Sequence, residues 1–212
     1  MKPLSHGALV DIAVAWLLRG PPTTHVSADG DVYNGVKHKC KPVFGEMVSA
    51  GPTNERPDAI GWHWGSSIVV ECKVTRADFF SDRQKVHMMD PTWGMGRRRY
   101  YLVPTGLVKA DEVPAWCGLA YTDGRAVKTV KEAPLRQISA SAAMTECSFL
   151  ASAVRRWSLK VPFDEKRGRF ETVEARSPTP RVKRPSKKQI AEQQKATLER
   201  FWEAIAQEEP KA

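Results

Sequence analysis

Cysteine is scarce in this chain: four residues in 212, Cys40, Cys72, Cys117 and Cys147, with no Cys-x-x-Cys pair among them. That scatter argues against a zinc ribbon and against a disulfide framework, and fits reduced thiols in a cytoplasmic setting. His38 and Cys40 have the spacing of a metal-binding pair, but no second pair completes a tetrahedral zinc site. Long apolar runs are missing too. Nothing approaches the ~20 apolar residues of a membrane-spanning helix, so no membrane partner is expected. The run from Ala8 to Leu18 after Lys2 imitates a short secretory signal, but Asp11 interrupts it and no small-residue cleavage site follows cleanly. Acidic charge is the third deficit. Lys and Arg outnumber Asp and Glu by 33 to 24, leaving +9, which suits a polyanionic partner such as nucleic acid. What remains, 42% hydrophobic and 27% charged, is enough for one substantial core with an appendage.

Leu4, Ala8, Leu9, Ile12, Ala13, Trp16 and Leu17 recur at helical spacing, with Ser5 as cap and Gly20-Pro21-Pro22 as stop, and predict a first helix. From Pro21 to about Lys41 no periodicity survives, and a long loop is expected. Strands are expected over Val43 to Ala50, Asp58 to Trp64 and Ser67 to Val74. Thr75-Arg76-Ala77-Asp78 resembles a capping box, and Phe79, Phe80 and Val86 give the apolar stripe of a second helix ending before Pro91. Tyr100 to Val103 reads as a strand. Gly118 to Thr122 and Ala126 to Val130 read as a hairpin around Asp123-Gly124, and Ile138 to Trp157 as a helix. Helices and strands thus share the chain. Residues 1–162 form the domain, 163–188 a basic linker carrying Pro178, Pro180 and Pro185, and 189–212 an amphipathic helix.

The chemistry is concentrated in Ser67-Ile68-Val69-Val70-Glu71-Cys72-Lys73-Val74. Strand alternation puts Val69, Glu71 and Lys73 on one face and Ile68, Val70, Cys72 and Val74 on the other. Ionised groups in an otherwise apolar strand are costly unless a partner such as a divalent cation offsets them. Asp58 starts the preceding strand, so its carboxylate can meet that of Glu71 across the sheet. Two such oxygens suit Mg²⁺ or Mn²⁺. Asp58, Glu71 and the backbone carbonyl of Cys72 are the expected metal ligands, with Lys73 orienting or deprotonating the attacking water.

Arg56-Pro57-Asp58 followed, after a hairpin, by Glu71-Cys72-Lys73 resembles the motif of the PD-(D/E)XK nuclease superfamily. The longer run from Glu71 to Arg83, followed by Tyr100 to Pro104, resembles its MmcB-like DNA-repair branch and related phage or prophage proteins. The resemblance spans roughly residues 4 to 130. It implies an α/β fold with a restriction-endonuclease-like core, a central mixed sheet flanked by helices, Mg²⁺ dependence and phosphodiester hydrolysis of DNA, with RNA and a homodimer also compatible, in a bacterial or phage-infected cytoplasm. It places Asp82, Arg83 and Lys85 of the second helix near the site. Many members carry an acid on the first helix. Here that ligand falls to Asp11, with His6 close by, or to Glu46 on the first strand. Arg76, Arg83, Lys85, Arg97, Arg98 and Arg99 are the candidate nucleic-acid contacts. A second acid-x-Lys triplet, Asp164-Glu165-Lys166, occurs in no apolar strand and follows no Pro-Asp, so it lacks the setting of the first. The alternative to catalysis is an inactive nuclease-fold module that binds DNA or a partner protein, since a fold does not fix a function.

Overall fold

The computed structural model describes residues 4–26, 31–37, 39–47, 51–53, 55–64 and 66–171. His38, most of the expected basic linker and the expected C-terminal helix lie outside the described residues.

Helix α1 (His6–Arg19) forms where the periodicity predicts. The Ser5 hydroxyl accepts from the Ala8 N–H at 3.3 Å, and Gly20, at φ 87, turns the chain while its N–H donates to the carbonyls of Trp16 and Leu17. Its buried residues Leu9, Val10, Ala13, Val14, Trp16 and Leu17 pack on Ile68, Val70, Cys72 and Tyr100 of the sheet. Each large apolar side chain so buried contributes about 1.5–3 kcal/mol.

The segment expected to be a long loop instead holds two antiparallel strands, β1 (Pro22–Val26) and β2 (Val32–Lys37), registered from Pro22 opposite Lys37 to Val26 opposite Val32. The sequence there carries no apolar–polar alternation, and its strand signal is the β-branched Thr23, Thr24, Val26, Val32 and Val36.

The central sheet has six strands in the order β3 (Val43–Gly45), β4 (Ala59–His63), β5 (Ser66–Cys72), β6 (Arg98–Pro104), β7 (Gly118–Thr122), β8 (Val127–Lys131). The β3–β4–β5 run is antiparallel, β5–β6–β7 is parallel, and β8 returns antiparallel on the outer edge. Strand β3 stops earlier than expected because Glu46 turns left-handed, at φ 48, and its N–H donates to the Asp58 carbonyl at 2.8 Å. Gly45 has no room for a side chain, since a Cβ would meet the Arg167 carbonyl at 2.7 Å; its N–H is taken by the Gly168 carbonyl, also at 2.7 Å. Gly168 belongs to a small hairpin of β9 (Phe163–Asp164) and β10 (Arg169–Phe170), which carries the compact unit to Glu171 rather than ending it near Pro162.

The expected second helix divides into α2 (Arg76–Asp82) and the short α3 (Val86–Met89). Helix α4 (Ala140–Ser158) covers the sheet face opposite α1, where Phe149 and Ala153 meet Phe44, Ile60 and Val69. Its buried Glu146 accepts from Trp62 Nε1 at 3.1 Å, Ser67 Oγ at 2.8 Å and the Gly96 N–H at 2.8 Å, tying helix to sheet. Among the described residues, no helix is long and apolar enough to cross a membrane.

Candidate functional site

The ends of β5 and β6, the start of β4 and helix α2 meet around Glu71. Strand pairing aligns Glu71 with Tyr101 and Val69 with Arg99 on β6, so Arg99 and Tyr101 share the face that carries Glu71 and Lys73. Asp58 sits one residue before β4, and its Oδ2 accepts from the Cys72 N–H at 2.7 Å. Lys73 Nζ lies 3.7 Å from Glu71 Oε2 and 3.1 Å from Asp82 Oδ1. The other Asp82 oxygen accepts from the Tyr101 hydroxyl at 2.9 Å, and Lys85 pairs with the same carboxylate from the surface. The three residues singled out in the sequence, Asp58, Glu71 and Lys73, are thus brought together, and α2 adds Asp82 to them.

Beneath this group Arg99 is fully buried. Its Nη1 donates to Glu71 Oε1 at 2.9 Å, and its Nη2 donates to Glu55 and to the Met95 carbonyl. Glu55 in turn accepts from the Met95 N–H at 2.6 Å, with His87 Nε2 3.9 Å away. At the rim, His6 Nε2 lies 3.3 Å from Asp58 and 3.9 Å from Glu46, and Glu46 pairs with Arg169.

The charge states follow from this packing. Burial pushes the Glu71 carboxyl up to about 7; Arg99 and Lys73 oppose the rise, Asp58 and Asp82 reinforce it. Burial also raises Asp58, against the Cys72 N–H and the Lys73 charge. Lys73 moves up as well: burial works against its ammonium, but Glu71, Asp82 and Asp58 outweigh that. Asp82 stays below its usual range, burial notwithstanding, because of Lys73 and Lys85. Burial drives His87 down to about 4, leaving a neutral imidazole at pH 7.

Asp58 and Glu71, beside the carbonyl-bearing end of β5, offer hard oxygen donors of the kind a divalent ion takes, although Arg99 and Lys73 already flank Glu71. By donor chemistry the pair is compatible with Mg²⁺ or Mn²⁺. Glu55, Glu71 and His87 also offer one ligand atom each within 4.8 Å of one another. That second grouping fits a cation less well, because the Arg99 guanidinium already binds both of its carboxylates.

Several expected contacts stand elsewhere. Arg99, expected to contact nucleic acid, is wholly enclosed and bound to two glutamates, so it is closed to solvent. Arg76 holds Glu112 and the Leu107 carbonyl, while Arg83 reaches the Glu112 carbonyl and lies over the rings of Phe79 and Phe80. Both pin α2 to the loop before β7. Arg98 donates to the Ala133 carbonyl and pairs with Glu132. Lys85 reaches only Asp82, and for the half-buried Arg97 side chain no acid or carbonyl partner is found among the described residues. Asp11 lies five residues along α1 from His6, about 140° round the helix, and no ion pair joins it to Asp58 or Glu71 among the described residues.

The chain is an α/β protein with a buried carboxylate–lysine centre at the end of its third sheet strand. No family model matches it, and no curated protein matches it. Among solved structures, a protein of unknown function from Silicibacter pomeroyi is similar at 28% identity, over 56% of this chain and 77% of that one, with a TM-score of 0.43.

Proposed function

We propose that this chain is a metal-dependent nuclease with a restriction-endonuclease-like core of the PD-(D/E)XK type, hydrolysing phosphodiester bonds of DNA at Asp58, Glu71 and Lys73. The observation that carries the reading is the convergence of Asp58 and Lys73 on Glu71 at the open end of β5, with an N–H of the same strand fixing Asp58. Asp58, Glu71 and the Cys72 carbonyl would hold Mg²⁺ or Mn²⁺. When bound, the ion supplies Lewis-acid stabilisation of charge developing on the phosphate oxygens.

Lys73 acts as a donor. Three carboxylates keep it an ammonium, which can hydrogen-bond a non-bridging phosphate oxygen or orient a water but cannot accept that water's proton. Of the two roles expected for it, orientation is the one the charges favour. Asp82, held by Tyr101, keeps the ammonium turned toward Glu71 rather than out to solvent. Arg99 fixes the Glu71 carboxylate from the other side.

One observation favours a second reading, a non-catalytic module that binds DNA or a partner protein: both oxygens of Glu71 already have cationic neighbours, Arg99 and Lys73. Incubating circular and linear DNA with wild type and Lys73→Ala, in Mg²⁺, Mn²⁺ or EDTA, separates the two. The hydrolytic reading expects metal-dependent nicking that Lys73→Ala lowers about a hundredfold or more. DNA that shifts but is never cut would leave the binding module.

A further inference from the structure

The tip of the β4–β5 hairpin is built against the interests of folding. Trp64 is 93% exposed, more than any other large apolar residue among the described residues, and its backbone is left-handed at φ 43. Glycine or asparagine would sit there with less strain, and an indole in water gains nothing from burial. Its aromatic contact is an edge approach to His63, with ring centroids 6.2 Å apart. The companion Trp62, two residues earlier, is spent inside on Glu146, Phe44 and Phe149. A strained, solvent-facing tryptophan is better explained by what it binds than by what it stabilises.

The chain beside it is cationic. The Lys39 carbonyl is hydrogen-bonded to His63 Nδ1 at 3.0 Å, and the Lys41 N–H donates to the Trp62 carbonyl at 2.8 Å, so this segment runs alongside the end of β4. Cys40 between the two lysines is fully buried while both lysines are exposed, and neither ammonium forms an ion pair among the described residues. Flat aromatic surface next to unneutralised ammonium groups is the pairing that stacks a base and holds its phosphates.

We propose that Trp64, Lys39 and Lys41 form a contact for single-stranded nucleic acid, set apart from the carboxylate–lysine centre along β4. The proposal deepens the nuclease reading and rests on its nucleic-acid substrate. Six residues of extended chain separate Trp64 from Asp58, about 20 Å. Trp64 holds a base well away from the bond that is cut, so it governs affinity and leaves the cleavage chemistry alone.

Binding of a fluorescein-labelled 15-nucleotide single strand in EDTA tests this without any cleavage. Trp64→Gly is expected to weaken binding about tenfold or more, Trp64→Phe far less, since a phenyl ring still stacks. Trp64→Gly should melt at or above the wild-type temperature, because glycine accepts the left-handed backbone; a structural tryptophan would give the opposite. Lys39→Ala with Lys41→Ala should reduce the slope of log K against log salt by about 1.4, at ~0.7 for each phosphate engaged. Wild type that fails to bind the strand, or Trp64→Gly that binds it equally well, overturns the proposal. So does a Trp64→Gly protein that keeps the strand but loses anionic vesicles or self-association. A chain that binds through Trp64 yet never cuts DNA leaves this surface standing and removes the hydrolytic reading instead; a chain that cuts, with Trp64→Gly unaltered in binding, removes only the Trp64 surface.

Discussion

Arg99 and Glu71 show how much of this site is decided by single charges out of water. Removing one partner of a buried ion pair leaves the other uncompensated, which typically costs about 3–5 kcal/mol. Arg99→Met is therefore expected to lower the unfolding free energy by that order in denaturant titration, and adding Glu55→Gln should recover part of the loss. Glu71 makes a pH prediction of opposite character. Its carboxyl moves from 4.5 to about 7 on folding, so the folded protein takes up a proton across that window and stability falls as pH rises through it. His87 moves from 6.5 to about 4, so its share rises with pH over an overlapping range. In EDTA, the stability difference between wild type and Glu71→Gln should decline between about pH 4.5 and 7, isolating Glu71. A difference that stays flat would mean that Glu71 is ionised throughout.

At the scale of elements, α2 is the piece whose placement the proposed chemistry depends on. The Thr75 hydroxyl accepts from the Asp78 N–H at 3.1 Å, capping a helix of seven residues. Thr75→Ala should cost about 1 kcal/mol in thermal unfolding and reduce kcat more than KM, because Asp82 at the far end loosens its hold on Lys73. The cap, α1, the β7–β8 hairpin and the Glu71–Lys73 strand were all legible in the sequence, since each rests on local chemistry: a hydroxyl three residues ahead of its N–H, a 3.6-residue period, a turn dipeptide, an alternation. The β1–β2 ribbon was not, since no alternation of apolar and polar residues marks its sequence. Nor were Arg99 and Tyr101 recognised as inward-facing. Alternation along β6 puts them on one side, but Arg97, Arg98 and Arg99 in a row read as solvated charge, and only the parallel register with β5 shows which of them meets Glu71. Glu55 and His87 belong to segments whose approach is set by tertiary packing alone.

For the molecule as a whole, the positive balance of the sequence is spread unevenly. Arg76, Arg83 and Arg98 are engaged within the described unit, whereas Arg176, Arg181, Lys183, Arg184, Lys187 and Lys188 cluster beyond Glu171. On the proposed nuclease reading, a chain ended after Glu171 is expected to keep its melting temperature and any Lys73-dependent cleavage, while its affinity for duplex DNA becomes less salt-sensitive by about 0.9 in slope for each phosphate that those cations would have neutralised. Melting that drops by many degrees would show instead that the core depends on the segment removed. The two ends of the central sheet bear on a different property, behaviour in crowded or concentrated solution. On one side β3 is three residues long with the Gly168 carbonyl already on its Gly45 N–H, and on the other β8 carries the exposed Lys128 and a register shift against β7 opposite Leu119 and Ala120. A neighbouring molecule seeking to extend the sheet would find the first border closed and would meet an exposed lysine and a broken register at the second, so aggregation by strand addition is discouraged at both.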